Sequence, residues 1–421
     1  MKQNNIGIQI EIFILFITTF SGFLIYFSRL GLDNNIYIIL KSISLSYLII
    51  LFPSFLIKYF LKKELKILFT KPIISFLIIL LLIFSGFLKI ITGIDLSYIY
   101  FIFDFYLFFS YLFSRLSNLK IKKQTLIFLI IIVCFSFFIT GAYYNNFYTH
   151  PLMIEKIING SMAHRDILFQ ASIAGIFKTY FYTGTGVDGF VPFYYHSLSH
   201  IIFASFSELL DINTLTFYSI VYPIIVAPIF FLFFIYASIE TSKYFSKLNN
   251  FLVLSKDNIY FWILIFIFFT LPFNMYSSTE AYTYIQSQTY AVALTLLFLI
   301  IYIFFTIINQ RLYLDNKFNF KPIFFFYSVL LFLLSICAVY SKISFLYVIT
   351  ICGMYIFFRM RLYHHFFYWI LAIFWIIFSA YIYFNLIIYF DGQDLRIEEV
   401  NTRSYTMKDE FFFSFYSILY L

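Results

Sequence analysis

The sequence consists of repeated apolar runs of about 18–25 residues, separated by short segments that carry most of the charge. A helix of that length crosses about 30 Å of hydrocarbon, the thickness of a bilayer core. With 62% hydrophobic and 11% charged residues, the composition differs from that of soluble chains, which are near half apolar and a quarter charged. The sequence therefore predicts an all-α polytopic membrane protein.

We predict about 11 transmembrane helices and a long extracytoplasmic loop, 143–213, that contains interfacial helices. The loop separates an N-terminal membrane module of five spans, 1–142, from a C-terminal membrane module, 214–421. Residues 196–210 are apolar but too few to cross, so we expect them to lie in the membrane surface or to re-enter it. The last apolar run, 411–421, is shorter than a span, an ending that a truncated chain would produce. The predicted spans are 6–28, 36–57, 72–91, 96–114, 124–142, 214–239, 259–276, 285–308, 322–340, 344–358 and 366–390.

The basic residues predict the orientation, because Lys and Arg are retained on the cytoplasmic side of a membrane. With a cytoplasmic N-terminus, Lys2 and the cytoplasmic loops carry 18 of the 28 basic residues but only 4 of the 20 acidic residues. The net charge of +8 is therefore a topology signal and not a sign of nucleic-acid binding. We expect a multi-pass protein of the bacterial inner (plasma) membrane with its chemistry on the extracytoplasmic face. The cytoplasmic loops are 58–71, 115–123, 240–258, 309–321 and 359–365.

Single introduced cysteines test this orientation. Cysteines at Thr185 and Asn401 should react with a membrane-impermeant thiol reagent in intact cells, whereas one at Asn316 should react only after lysis. The native cysteines lie within apolar runs and should give little background. Labelling at Asn316 together with protection at Thr185 would reverse the predicted orientation.

Asp166 opens a predicted amphipathic helix in the outer loop. Gln170 lies four residues later on the same side of that helix. A row of apolar residues on another side would face lipid, as in interfacial helices. A carboxylate at a helix start is either a cap or a catalytic group, since Asp is favoured there for stability alone. The apolar row is Phe169, Ile173, Ile176 and Tyr180.

Gly184, Gly186 and Gly189 match the spacing of a dinucleotide-binding loop. That mechanism needs a strand before the glycines and a helix after them in a βαβ unit. Here the glycines follow an interfacial helix on the outer face, so we reject a dinucleotide site. We expect them instead to let the backbone turn with a positive φ, which places Asp188 at the turn.

His196 and His200 are four residues apart and would project together from one helix, a spacing that can hold a divalent metal. The intervening residues are Ser-Leu-Ser, so the zinc-protease pattern with its glutamate is absent. The alternative is that both histidines pack this segment against its neighbours.

Isolated charges at or inside spans are costly and so often mark functional sites. Lys342 stands alone between two spans, on the side that is otherwise poor in lysine. It would either snorkel to a lipid headgroup or bind a lipid phosphate. Glu280 is a weaker candidate of the same kind. Asp104 and Lys41 lie within predicted spans, and a pairing between their helices is one interpretation.

An acidic residue opens a juxtamembrane helix, and an aromatic residue follows three positions later. Ala174, a turn, Pro192 and an aromatic-rich segment ending at Ile212 come next. This layout resembles the first large outer loop of GT-C-type glycosyltransferases, polytopic enzymes that use polyprenyl-phosphate-linked sugars as donors. The segment 278–280, Ser-Thr-Glu before a long apolar run, is similar to a later outer loop of that superfamily.

The resemblance implies transfer of a sugar from a polyprenyl-phosphate-linked donor to a saccharide, lipid or protein acceptor. It implies that Asp166 is the catalytic acid, either as general base for the acceptor hydroxyl or as ligand of a divalent cation, Mg or Mn. Charge on the lipid phosphate would be neutralised by Lys342, by Arg165, or by a metal held by His196 and His200. The expected substrate-binding residues are Arg165, Gln170, Asp188, His196, His200, Glu280 and Lys342.

Two other classes of protein are alternatives. A transporter or flippase of a lipid-linked or polar solute also has many spans, but it places ions near the midplane on broken helices in paired repeats. Here the polar groups gather at one surface, and no internal repeat is visible. A membrane sensor or assembly scaffold would not depend on any single outer carboxylate. Membrane lipids are expected partners in each case.

Overall fold

A computed structural model gives the fold of the chain. It describes residues 2–28, 36–61, 65, 69–116, 165–184, 197–249, 288–309, 322–359 and 362–394. Within these ranges 91% of the residues are helical and no strand is present. The all-α class predicted from the sequence is therefore confirmed.

The ends of α3 show why an apolar run begins and stops where it does. Pro72 lies in its first turn, where no helical partner exists for the missing N–H. Gly93, with φ 74°, ends the helix and donates its N–H to the carbonyl of Lys89. In chain order the helices are α1 (Lys2–Ser28), α2 (Ile36–Tyr59), α3 (Lys71–Thr92), α4 (Ser97–Leu116), α5 (Arg165–Tyr180), α6 (Ser197–Leu209), α7 (Tyr222–Asn249), α8 (Gln288–Asn309), α9 (Pro322–Ser341), α10 (Phe345–Arg359) and α11 (Phe366–Asp394). A helical turn (Thr214–Thr216) and a π-helix (Phe217–Val221) precede α7, and a 3-10 turn (Leu362–His364) precedes α11.

The described residues contain six helices that are long and apolar enough to cross a membrane, as expected for a multi-pass membrane protein. Shorter apolar helices occupy three further predicted spans. The predicted spans 124–142 and 259–276 lie outside the described residues, so the total of about 11 spans stays a prediction. The module boundaries and the orientation also stay predictions. The six helices are Ile36–Tyr59, Lys71–Thr92, Tyr222–Tyr244, Thr289–Asn309, Phe324–Ser341 and Phe366–Phe384.

Helix α7 lies at the centre of the packing. It contacts α8, α1 and α2, and most of its apolar residues are buried, whereas few of those in α11 are. Hydroxyl groups connect neighbouring helices: Ser46 donates to the carbonyl of Ile224 at 2.8 Å, and Ser75 donates to that of Ile49 at 3.0 Å. Such bonds hold membrane helices together, because apolar surface alone does not favour protein over lipid as a neighbour.

Helix α6 is the predicted short segment 196–210, and the protein encloses it. Its 13 residues extend over about 20 Å, less than the ~30 Å of a bilayer core. It packs against α3, α5 and α9. At Gly86 of α3 the two backbones approach so closely that a Cβ would lie 2.1 Å from the carbonyl oxygen of Ser205.

A residue in the left-handed conformation ends α6. Asp211 has φ 57°. Its N–H donates to the carbonyl of Glu208 at 3.1 Å, and the N–H of Ile212 donates to that of Ser207 at 3.0 Å. This pair of bonds is a Schellman cap, which usually has glycine at the left-handed position. Aspartate tolerates that conformation at a cost of about 1 kcal/mol, and here its carboxylate reaches α2 and α3.

Candidate functional site

The predicted helix at the start of the candidate site is present as α5. It begins at Arg165 and has Asp166 in its first turn. The side chains of both residues lie outside the described part of the structure, as do Asp188, His196 and Glu280 as a whole. The roles assigned to these five residues therefore stay predictions.

Helix α5 does not present the single apolar row that the spacing predicts. Ile173 is fully buried, whereas Phe169 and Tyr180 are 45% and 57% exposed. Its buried positions include two alanines, whose small side chains let α6 approach. Gln170 is half-buried, and its Oε1 accepts no hydrogen bond from any described residue. A ligand hydroxyl would satisfy that oxygen. The buried residues are Ala171, Ile173, Ala174 and Phe177.

The expectation of a positive φ is wrong for Gly184. Among the described glycines only Gly93 has one. At Gly184 a Cβ would instead lie 2.4 Å from the ring of Tyr182, so the missing side chain leaves room for that ring. Gly186 and Gly189 lie outside the described residues.

His200 is buried, and its Nδ1 lies 3.3 Å from the hydroxyl of Tyr218. Tyr218 belongs to the π-helix before α7, and its ring packs edge-on against Phe203 of α6 with centroids 5.1 Å apart. The packing alternative predicts contacts of this kind for His200. No group of three or more metal-ligating side chains occurs among the described residues. Because His196 is outside them, a metal held by both histidines stays a prediction.

Lys342 begins the short connection between α9 and α10. Its N–H donates to the carbonyl of Ala338, and its own carbonyl accepts from the N–H of Phe345, both at 3.0 Å. The preceding carbonyl, that of Ser341, accepts from the hydroxyl of Ser199 at 3.4 Å. The N-terminal end of α6 therefore contacts the hairpin that carries Lys342.

The C-terminal end of α6 meets a group of four charged residues, called the outer ionic cluster after the orientation predicted from the sequence: Lys41, Lys89, Asp95 and Asp211. The ammonium of Lys89 contacts Asp95 at 2.8 Å and also bonds Asp211. The ammonium of Lys41 lies 3.6 Å from the other Asp211 oxygen. Both lysines are buried, at 8% and 9% exposure, whereas the Asp211 side chain is 50% exposed. The cluster therefore joins α2, α3 and the end of α6.

Asp95 stays ionised within this cluster. Burial opposes its ionisation, but hydrogen bonds from Lys89 and Ser97 outweigh that penalty and hold the pKa of the carboxyl below its usual value. The backbone N–H of Ser97, at the start of α4, donates to Asp95 at 2.8 Å. Asp95 thus neutralises Lys89 and connects α3 to α4.

A second ion pair ties α5 to the same end of α6. The ammonium of Lys178 lies 2.8 Å from Glu208 and donates to the carbonyl of Ile212 at 3.1 Å. The hydroxyl of Thr214 donates to the carbonyl of Ala171 at 2.8 Å. Polar contacts therefore hold α6 at both ends, to the Lys342 hairpin on one side and to α2, α3 and α5 on the other.

The pairing of Lys41 with Asp104 is not observed. Lys41 belongs to the outer ionic cluster, whereas Asp104 accepts a hydrogen bond from Ser44 at 2.7 Å. The second oxygen of Asp104 is buried and has no partner among the described residues. An ionisable group buried in a predicted span is a functional candidate in its own right.

The sequence did not reveal the outer ionic cluster because Lys41, Asp211 and the pair formed by Lys89 and Asp95 are distant from one another in the chain. Lys89 and Asp211 are 122 residues apart, and neither belongs to a recognisable motif. The available signal was the presence of Lys41 and Lys89 inside apolar runs, where an unpaired charge would be costly. That signal indicates that partners exist, but it does not identify them.

No family model, curated protein or solved structure matches the chain. The functional proposal therefore depends on the residues and the geometry of this protein.

Proposed function

We propose that the protein is a GT-C-type membrane glycosyltransferase. It transfers a sugar from a polyprenyl-phosphate-linked donor to a saccharide, lipid or protein acceptor on the extracytoplasmic face. The observation that supports this most is that α6 contacts both α5, which begins with Arg165 and Asp166, and the end of α9 that leads to Lys342. Three segments that the sequence singled out as candidate site are thus neighbours in one packed unit.

In the proposed reaction Asp166 acts on the acceptor. Its carboxylate takes the proton of the acceptor hydroxyl while the hydroxyl oxygen attacks the anomeric carbon of the sugar. The bond between that carbon and the phosphate oxygen breaks, and the electron pair leaves with the lipid phosphate. Lys342 and Arg165 stabilise the departing charge electrostatically. If a divalent cation, Mg²⁺ or Mn²⁺, takes part, Asp166 or the pair His196 and His200 would hold it, and it would supply that stabilisation instead.

One observation favours the transporter or flippase alternative. Asp104 lies seven residues into α4, about 10 Å from the end predicted to face outside. It is buried, and one of its oxygens has no partner among the described residues. Transporters hold such groups inside the membrane, where they bind a coupling ion. In that case Asp104 would be essential and Asp166 would not.

Lys342→Gln tests the proposal in an assay of sugar transfer. Vesicles containing the full chain would receive labelled polyprenyl-phosphate sugars and acceptor extract. Loss of a charge-assisted contact with phosphate should raise the apparent KM for the donor by about tenfold or more, with a smaller change in kcat. Lys178→Gln is the matched control, because it also removes one positive charge beside α6 but at the end opposite the Lys342 hairpin. The proposal would be wrong if the wild-type chain transferred sugar from no donor but moved a lipid or solute across the membrane. The transporter hypothesis would then replace it.

A further inference from the structure

The outer ionic cluster contains two lysines that converge on one carboxylate. Lys41 comes from α2 and Lys89 from α3, and both ammonium groups contact Asp211. A buried lysine is stable only when an anion compensates its charge. Lys89 contacts both Asp95 and Asp211, whereas Asp211 is the described carboxylate that contacts Lys41.

The contact between Lys41 and Asp211 is loose. Its 3.6 Å separation is beyond a good hydrogen bond for a charged pair. Among the described residues this ammonium also lies over the rings of Tyr37 and Phe101, with centroids at 4.5 Å and 5.5 Å. Rings stabilise a cation but accept no strong hydrogen bond. Among the described residues Lys41 therefore has donors that no strong acceptor uses.

Displacement of Asp211 breaks its contact with Lys89 but unfolds no helical residue. Asp211 lies in the turn after α6, in a left-handed conformation that disfavours aspartate relative to glycine. Half of its side chain is exposed, so its carboxylate would regain water rather than become buried elsewhere. Replacement of Asp211 by another anion leaves the charge balance of the two lysines unchanged.

Both lysines lie inside candidate spans but close to the helix ends, so the predicted topology places them near the headgroup region. Lys89 is three residues from the end of α3 and Lys41 is five from the start of α2, which places them about 5 and 8 Å inside those helix ends. The headgroup region on each side of a bilayer is about 5–8 Å thick. Tyr37 beside Lys41 is 54% exposed, as aromatic residues at the membrane interface commonly are.

We propose that Lys41 and Lys89 form a binding site for a phosphate group, which displaces Asp211 and takes its place between the two ammonium groups. The depth of the site fits the phosphate of a membrane lipid. Free phosphate has the same chemistry and is distinguished by experiment. The site lies at the opposite end of α6 from Lys342 and does not depend on glycosyl transfer.

Native mass spectrometry of the purified full chain in detergent, with phosphatidic acid as probe, tests the proposal. Asp211→Asn should raise the affinity for phosphatidic acid by about tenfold or more, because both lysines lose their competing anion. Lys41→Gln should lower it by a similar factor, because the phosphate loses a charge-assisted partner. Glu208→Gln removes one negative charge at the same end of α6 but from the pair with Lys178, so it should leave the affinity unchanged.

The direction in which Asp211→Asn changes the affinity for phosphatidic acid tests the proposal. Unchanged or lower affinity would show that Asp211 only ties α6 to α2 and α3, and would overturn the proposal. If the asparagine variant does not fold, Asp211→Gly replaces it, because glycine suits the left-handed turn. The same rise in affinity is expected.

Competition identifies the source of the phosphate. The site would be assigned to a soluble phosphate if millimolar inorganic phosphate displaced phosphatidic acid and the protein bound phosphatidic acid no better than phosphatidylcholine. The site would be assigned to a lipid if inorganic phosphate did not displace phosphatidic acid and the protein bound phosphatidic acid better than phosphatidylcholine. Failure of both probes to bind overturns the proposal.

Discussion

Gly86→Ala should destabilise the protein by about 3 kcal/mol, the upper part of the range for an overpacked core. The added Cβ would lie 2.1 Å from the carbonyl oxygen of Ser205 and 2.6 Å from its carbon. Both atoms belong to the backbone of α6, so no rotamer change relieves the contact. α3 and α6 must separate, and that displacement also strains the bonds of Lys89 with Asp211.

Two other glycines provide graded controls in the same measurement, thermal unfolding of the purified chain in detergent. At Gly353 in α10 a Cβ would meet nothing within 4 Å, so Gly353→Ala should be neutral or slightly stabilising through helix propensity. At Gly22 the Cβ would lie 2.8 Å from Cδ1 of Ile43, the end of a side chain that can move. Gly22→Ala should therefore fall between the other two. Equal unfolding temperatures for Gly86→Ala and Gly353→Ala would contradict the close approach of α3 to α6.

The positions of the apolar helices could be predicted from the sequence because the hydrocarbon core fixes their length. Every predicted span that lies within the described residues is helical, including 72–91, where α3 occupies Lys71–Thr92. The regular part of the helix predicted over 214–239 starts later, at Tyr222, because a π-helix precedes it. A single π-turn leaves no periodicity that a sequence would reveal, although such turns often occur at functional sites.

Contacts between the helices could not be predicted in the same way. In lipid an apolar side chain does not distinguish a protein neighbour from a lipid neighbour, so periodicity does not mark the buried face. Ile173 and Phe169 of α5 belong to the same predicted row, yet one is fully buried and the other is half-exposed. One of the two carboxylates that contact Lys89 could not be predicted either, since Asp211 lies 122 residues away and reaches Lys89 only through the cap of α6.

Within the candidate site, the sequence predicted elements better than interactions. It predicted a helix at Asp166 and a short non-spanning segment at 196–210, and both are present as α5 and α6. It left open whether His200 packs or binds metal, and its contact with Tyr218 depends on how the π-helix presents that hydroxyl. The spacing of residues within one segment cannot predict a contact with a residue of a second segment.

Asp166→Asn should lower glycosyl transfer by at least about 10²-fold, the usual scale for loss of a general base. The amide has nearly the shape of the carboxylate but cannot take the acceptor proton. α5 begins at Arg165, so Asp166 lies in the first turn. There its negative charge would stabilise the helix by about 0.3–1 kcal/mol through the helix dipole. A purely structural role therefore predicts a small shift in unfolding temperature and nearly normal transfer.

The measurement is kcat for transfer from a saturating lipid-linked donor, with donor binding and unfolding temperature determined on the same preparations. Asp391→Asn is the matched control, an outer carboxylate by the predicted topology that lies on α11. Because the base acts on the acceptor, Asp166→Asn should retain donor binding, whereas Lys342→Gln should weaken it. This separation of effects is specific to an enzyme with distinct acceptor and donor groups. Normal kcat in Asp166→Asn would remove the catalytic assignment, and inactivity of Asp104→Asn alone would favour transport.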